Sequence, residues 1–315
     1  MTIVILGETD RFKEHELVRE AAEERGAETV VVPVEDWPGD APVEHTVGSG
    51  ECVLGESIRF DDVTGVFSMI QTVFPTYLPH YDWFEEKPER PAYKQLREWQ
   101  QTFRSLLAIF EEHGAKIPVS PRDRYWDFHR PWMLQLYDDE DVPVPDTTFT
   151  NDPERVEEFV ENHSRALVQP VNGGEGMEVI RPDDLKPERL EKLSGAPIKL
   201  QEYIPGEDTR AYVVDGEFVG QIQYGYDEDA ISFKSSEVAY TDIESIRLSP
   251  DADLRETIVR AAELTPSAYA AVDVRITDDG DYTVLESNTP GRFAAHDLAG
   301  ATAVGERIAE YLLAS

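Results

Sequence analysis

The sequence contains one cysteine, Cys52, no run of about eighteen apolar residues, and no basic segment at its start. A lone thiol excludes an intramolecular disulfide and any CxxC metal site, and it fits a reducing compartment. Gly50-Glu51-Cys52-Val53-Leu54 carries no nucleophile signature, so Cys52 reads as a bystander. Met1-Thr2-Ile3-Val4-Ile5-Leu6-Gly7 lacks the basic flank and cleavage site of a signal peptide, so a soluble, cytoplasmic chain is expected. The seven histidines show no HxxH or HExxH spacing, which argues against zinc, and no GxSxG elbow marks a serine hydrolase. Neither GxGxxG nor GxxxxGK[ST] occurs, so a dinucleotide fingerprint and a P-loop are both excluded.

Positive charge is also scarce. Against 64 Asp and Glu stand 29 basic residues, 21 of them Arg and 8 Lys, for a formal net charge of −35 over 315 residues. The acidity is spread along the whole chain and is therefore a surface property. Self-repulsion at this charge destabilises the compact state in dilute buffer, and salt at molar strength screens it within about 3 Å. The expected habitat is therefore very high salt, as in a halophile. Nucleic acid and anionic membranes are excluded as partners, because both rely on Lys and Arg neutralising phosphates.

What is present is a globular composition, 40% hydrophobic with 10% aromatic residues. Residues 2–34 read as strand, helix, strand: Ile3-Val4-Ile5-Leu6, a helix from Phe12 to Arg25 ended by Gly26, then Thr29 to Val34. A third strand is expected over Val63 to Met69 and a helix over Leu96 to Glu112. The proline-bearing aromatic segment Phe74 to Tyr93 lies between them; Trp83 and Phe84 within it, and Trp99 in the helix that follows, are large residues of no assigned role. Ile117-Pro118-Val119-Ser120-Pro121 closes an N-terminal α/β domain, residues 1–118. Beyond it come a short helix at Pro131 to Tyr137 and a capped helix after Asn151-Asp152-Pro153-Glu154. Strands Ala166 to Val171 and Met177 to Arg181 flank a glycine loop, and a helix is expected near Leu185 to Leu193. Strands follow at Lys199 to Ile204, Arg210 to Val214 and Glu217 to Tyr224, the last two joined by the hairpin signal Asp215-Gly216. A helix over Leu254 to Leu264, a final hairpin and a closing helix over Leu298 to Leu313 complete the chain.

Three segments carry candidate chemistry. Asn172-Gly173-Gly174-Glu175-Gly176 between two strands can turn backbone N–H groups toward an anion, although such loops also serve simply as turns. In the last hairpin, a turn centred between Asp279 and Gly280 sets Asp273 opposite Glu286 and Val274 opposite Leu285, with Asn288 on the carboxylate face. Carboxylates opposed at about 5 Å repel unless a cation lies between them. Three oxygen ligands without His or Cys point to Mg²⁺ or Mn²⁺. Gln201-Glu202-Tyr203-Ile204-Pro205-Gly206 is a strand stopping at Pro-Gly, whose freed backbone can meet a flat heterocycle.

The ordered set resembles the ATP-grasp superfamily, most closely the branch similar to ribosomal-protein glutamate ligases and peptide-modifying grasp ligases. The carrying residues are Arg130-Pro131-Trp132-Met133-Leu134, Val144-Pro145-Asp146-Thr147, Leu167 to Gly176, Gln201 to Arg210, Val272-Asp273-Val274 and Leu285-Glu286-Ser287-Asn288-Thr289-Pro290-Gly291. The resemblance implies an N-terminal parallel-sheet domain before a two-subdomain α+β ATP-grasp fold, with subdomains 119–198 and 199–315. It implies that the Tyr203 and Ile204 backbone meets adenine beside Gln201 or Glu202, and that Asp208 holds the ribose. Asp273, Glu286 and Asn288 would ligate Mg²⁺, while the loop bearing Gly173, Gly174 and Gly176 closes over the phosphates of ATP. The implied reaction phosphorylates a carboxylate and lets an amine displace the phosphate, the carboxylate and amine coming from small molecules or peptides. Such a reaction depends on charge neutralisation more than on protein covalent chemistry.

Two departures stand out. Gln169 occupies the position where the family usually carries lysine, and the upstream lysine is replaced by Arg130 or, with a one-residue shift, His129. The phosphates then depend on Arg130, the metal, and Lys234 or Arg210, while Arg292 is a candidate partner for an acidic substrate. The loss at position 169 leaves a second reading open, a degenerate protein that binds nucleotide or a partner without ligation. A third is a modifier of another protein's peptide tail. The oligomeric state is open.

Overall fold

The computed structural model describes residues 1–7, 12–34, 42–70, 89–120, 129–171, 177–191, 195–225 and 244–314. The first apolar run becomes β1 (Thr2–Leu6), buried in the centre of a parallel sheet ordered β2-β1-β6, with β2 at Glu28–Val32 and β6 at Val63–Phe67. Between β1 and β2 runs α1 (Lys13–Glu24), which turns Val18, Ala21 and Ala22 inward. Three short strands that periodicity did not reveal, β3 (Val43–His45), β4 (Glu51–Leu54) and β5 (Glu56–Arg59), form a separate antiparallel sheet. Cys52 is buried there beside Glu51, and burial pushes its thiol up to about 11, as suits a packed bystander. The next helix, α2 (Glu89–Glu112), buries Phe103, Leu106, Leu107 and Phe110, and Trp99 packs against the same core. Most of segment 74–93, with Trp83 and Phe84, lies outside the described residues.

The second part opens with α3 (Arg130–Asp139) and β7 (Thr147–Thr150). Asp152 caps α4 (Pro153–His163) by accepting the Glu154 N–H at 3.0 Å, the role its position before Pro153 predicts. Then come β8 (Ala166–Pro170), β9 (Glu178–Ile180), α5 (Pro187–Leu190) and β10 (Ile198–Glu202). Where a helix was expected near Leu185 to Leu193, the described residues up to 191 are α-helical over the four residues of α5. The four strands pair antiparallel in the order β7-β10-β8-β9. Because β10 is their second member, the expected boundary at 198/199 falls inside a strand. Val156, Val160, Ala166, Ile180 and Leu200 form the core under this sheet.

The third part is a five-stranded antiparallel sheet ordered β13-β12-β11-β14-β15. Its strands are β11 (Glu207–Val214), β12 (Glu217–Gly225), β13 (Glu244–Leu248), β14 (Tyr269–Ile276) and β15 (Tyr282–Asn288), with α6 (Ala252–Glu263) between β13 and β14. The turn between β11 and β12 is Asp215-Gly216, both at positive φ, as the hairpin signal requires. One sheet face carries Ala211, Val213, Ala270, Val272 and Val274 against Leu254, Ile258 and Ala261 of α6 and Met133 and Tyr137 of α3. On the other face Tyr212, Val214, Tyr269 and Ala271 join the core of the N-terminal domain.

The closing helix is split, contrary to the expectation of one helix over Leu298 to Leu313. It consists of α7 (Ala294–Leu298) and α8 (Val304–Leu313). Asp297 explains the break: its carboxylate accepts the N–H groups of Val304 at 3.0 Å and Gly305 at 2.7 Å, capping a new helix start. The second helix returns to β6, where Gly65 lets it approach. A Cβ at that position would lie 2.8 Å from the Leu312 side chain. The last helix thereby locks the five-stranded sheet onto the first domain.

Candidate active site

The hairpin β14–β15 pairs Asp273 with Glu286 and Ala271 with Asn288. The sequence register therefore holds at the carboxylates. It shifts just beyond them, where Val274 pairs with Val284 and not with Leu285. The loop 277–281 closes through Thr277 N–H to the Asp281 carbonyl at 2.8 Å, so the turn is centred on Asp279 and one extra residue bulges at Leu285. The bulge returns Val284 to the apolar face with Val274. The Asn288 amide reaches Asp273 Oδ2 at 3.1 Å and Glu286 Oε1 at 3.4 Å. Two carboxylates and an amide thus converge on one patch of sheet. Their oxygen donors fit a hard divalent cation such as Mg²⁺ or Mn²⁺.

Two arginines meet this trio. Arg210, on β11 directly opposite Asp273, grips it with both prongs, Nε to Oδ1 at 2.6 Å and Nη2 to Oδ2 at 2.9 Å. Arg130, the first residue of α3, brings Nε and Nη2 each to 2.7 Å from Glu286 Oε2. The arginines expected at the phosphates are therefore seated on the two carboxylates expected to ligate a metal. A third pair sits on the same face two residues along, where Arg275 Nη1 meets Asp208 Oδ1 at 2.6 Å. Alternating acid and base across neighbouring strands balances charges that are all nearly buried.

Behind the arginines, tyrosines hold the turn that follows β15. Tyr269 donates to the Gly291 carbonyl at 2.5 Å and Tyr212 to the Arg292 carbonyl at 2.7 Å. His296 Nδ1 lies 2.6 Å from the Tyr212 hydroxyl. Burial, reinforced by the Arg210 charge, pushes the His296 imidazole down to about 4. It is neutral at physiological pH, and its Nδ1–H suits the Tyr212 oxygen as a donor.

The second wall is the four-stranded sheet. Gln169 on β8 pairs with Lys199 on β10, and Gln201 donates from its amide to Thr147 Oγ1 at 3.0 Å. Glu202 accepts the Asp146 N–H at 3.2 Å through Oε1. Past β10, Tyr203 and Ile204 lie outside the strands. The Arg165 guanidinium stacks 3.8 Å above the Tyr203 ring, and the Ile204 carbonyl accepts Arg275 Nε at 3.0 Å. That hydrogen bond ties the expected adenine edge to Asp208 through one arginine, while the Asp208 carboxylate expected at the ribose is engaged by Arg275. Arg292 stands apart, its side chain 60% exposed, 3.9 Å from the Glu14 carboxylate and 4.5 Å above the Phe12 ring. Gly173, Gly174, Gly176 and Lys234 lie outside the described residues.

The sequence reading missed Lys199 and Arg275. Both were within reach of strand alternation: Lys199 shares a face with Gln201, and Arg275 shares one with Asp273. Among the described residues, no helix is long and apolar enough to cross a membrane.

An oxygen-ligand trio on an antiparallel sheet, joined through β10 and β11 to a second antiparallel sheet, defines an ATP-grasp fold. The chain belongs to the RimK-like ATP-grasp domain family, which matches residues 131–312. Its fold is that of PsnB, an ATP-grasp ligase solved with a phosphomimetic variant of its minimal precursor, Mg and ADP. The similarity has a TM-score of 0.83 and 26% identity, over 99% of this chain and 97% of that one. Macrocyclase MdnC from Microcystis aeruginosa, solved with its precursor peptide MdnA, shares the fold at a TM-score of 0.81 and 18% identity over 100% of both chains. In sequence the chain is 27% identical over 190 residues to "Probable alpha-L-glutamate ligase 2" of Pseudoalteromonas atlantica. A second relative, "Probable alpha-L-glutamate ligase" of Saccharophagus degradans, is 28% identical over 167 residues. The chain spans 60% and 54% of the lengths of these two relatives.

Proposed function

We propose that the chain is an ATP-dependent ligase that joins a carboxylate to an amine through an acyl-phosphate, with a peptide as one substrate. The observation that carries this reading is the convergence of Asp273, Glu286 and Asn288, with Arg210 and Arg130 seated on the two carboxylates. In the proposed reaction the substrate carboxylate attacks the γ-phosphorus and ADP leaves. The amine then attacks the acyl carbon, loses a proton, and expels phosphate carrying one of the original carboxylate oxygens. A Mg²⁺ held by Asp273, Glu286 and Asn288 would neutralise charge on the phosphates.

The chain's own residues do the positioning. Arg210 and Arg130 fix the two carboxylates in single orientations, which preorganises the cation site. The Tyr203–Ile204 edge, tied down by Arg165 and Arg275, offers the nucleotide base a rigid border with Gln201 and Glu202 beside it, and Asp208 is the ribose candidate. The exposed Arg292, at the seam with the N-terminal domain, is the candidate grip on an acidic substrate. Peptide substrates are favoured because PsnB and MdnC were solved with precursor peptides. A cytoplasmic protein working at high salt accords with the single buried thiol and the net charge of −35.

The test is ADP formation in molar KCl with Mg²⁺, using peptides rich in Glu and Asp that also carry lysine, with free glutamate in parallel. Peptide-dependent ADP and a product lighter by one water support the reading. Gln169 supports the second reading, nucleotide binding without ligation, and Mg·ATP binding with no product from any acid would favour it.

A further inference from the structure

We propose that Lys199 on β10 supplies the cation that meets the phosphates of the bound nucleotide, taking over from a neighbouring strand the charge that Gln169 on β8 does not carry. The proposal rests on the nucleotide-binding reading above and assigns it a further residue.

Three observations carry it. The first is register: Lys199 lies directly opposite Gln169 in the β8–β10 ladder, so the two side chains share one face about 5 Å apart. A lysine moved from one position to the other still serves the same patch.

The second is the face itself. Along β10, Ile198 and Leu200 point into the core beneath α4, so Lys199 and Gln201 point the other way. That face belongs to the site. Gln201 shares it with Thr147, and Phe149, the other cross-strand neighbour of Lys199, packs against the core containing Met133 and Leu134 of α3. The same helix starts at Arg130, which holds Glu286.

The third is burial and charge type. Lys199 is 2% exposed and is the only lysine among the buried described residues, in a chain that strongly prefers arginine. The buried arginines Arg130, Arg210 and Arg275 hold Glu286, Asp273 and Asp208, on the sheet that carries the metal trio. Lys199 brings a compact charge to the opposite wall, on the strand paired with β8.

The experiment exchanges the two residues. Mg·ATP binding is titrated calorimetrically in molar KCl for wild type, Lys199→Gln, Lys199→Met and the exchange variant Lys199→Gln with Gln169→Lys, with adenosine as the phosphate-free probe. Losing a charge-assisted contact should weaken Mg·ATP binding by about tenfold or more in both single variants, and leave adenosine affinity unchanged. The exchange variant should recover most of the lost ATP affinity. Because methionine removes polarity and glutamine keeps it, a folding failure in one single variant leaves the other to decide.

Unchanged ATP affinity in a single variant would overturn the proposal while leaving the nucleotide site intact. So would parallel loss of ATP and adenosine binding, or an exchange variant no better than Lys199→Gln, since both mark a structural lysine. Wild type that binds no Mg·ATP would overturn the nucleotide reading itself, and the proposal with it.

Discussion

Replacing Glu286 by glutamine separates its ion pair with Arg130 from its proposed role as a metal ligand. Read from sequence alone, the change removes a metal ligand at nearly constant volume and leaves the fold alone. The structure adds a cost, because Arg130 and Glu286 are each only 9% exposed at the side chain and two guanidinium nitrogens share one carboxylate oxygen at 2.7 Å. The amide still accepts a hydrogen bond but no longer offsets the buried charge, a loss of about 2 kcal/mol. For 315 residues the unfolding entropy is about 0.7 kcal/mol per degree, so the melting temperature should fall by about 3 °C. Mg·ATP at about a hundred times its dissociation constant stabilises the folded state by about 2.7 kcal/mol, or about 4 °C. Glu286→Gln should lose that rise as well, so the gap to wild type widens to about 7 °C with ligand. Thermal melts in molar KCl, with and without Mg·ATP, measure both differences. A variant that keeps the full ligand-induced rise would remove Glu286 from the metal site, and one that melts with wild type in the absence of ligand would refute the buried pair.

Two further outcomes follow from charge. His296 has its pKa lowered to about 4 in the folded chain, mainly by burial. Its contribution is thus fully present above the unfolded value of about 6.5 and is lost as pH falls toward 4, about 2 kcal/mol of it by pH 5. Wild type should lose about 3 °C more in melting temperature than His296→Gln between about pH 7.5 and pH 5, and equal losses would contradict a buried neutral imidazole. The net charge of −35 predicts that the wild-type melting temperature rises steadily from dilute buffer to molar KCl, and a flat or falling profile would contradict the high-salt assignment.

Much of the site was legible because two strands in a hairpin obey a simple rule. Once the last turn is placed near Asp279, alternation sets Asp273 against Glu286 with Asn288 beside them, and the structure agrees. What failed there was local: a bulge at Leu285 moved the apolar partner of Val274, since alternation does not anticipate an inserted residue. Longer-range pairings were out of reach. That Arg130 at a helix start meets Glu286 on β15, or that Lys199 faces Gln169, depends on how separate elements dock and not on local pattern. The split of the closing helix is a case between. Asp297 followed by Gly300 and Thr302 is a stop-and-restart signal, hidden by the apolar spacing on either side. The small sheet β3-β4-β5 left no clear trace because its strands are three or four residues long and partly exposed.

The central claim is that a substrate carboxylate is activated by phosphorylation. It is tested most directly with a peptide that supports ADP formation and whose side-chain carboxylates are labelled with oxygen-18. Attack by the carboxylate on the γ-phosphorus, followed by displacement by the amine, transfers one labelled oxygen into each phosphate released with product. Singly labelled phosphate formed in step with the amide is the predicted result. Amide formation with unlabelled phosphate would contradict the acyl-phosphate route.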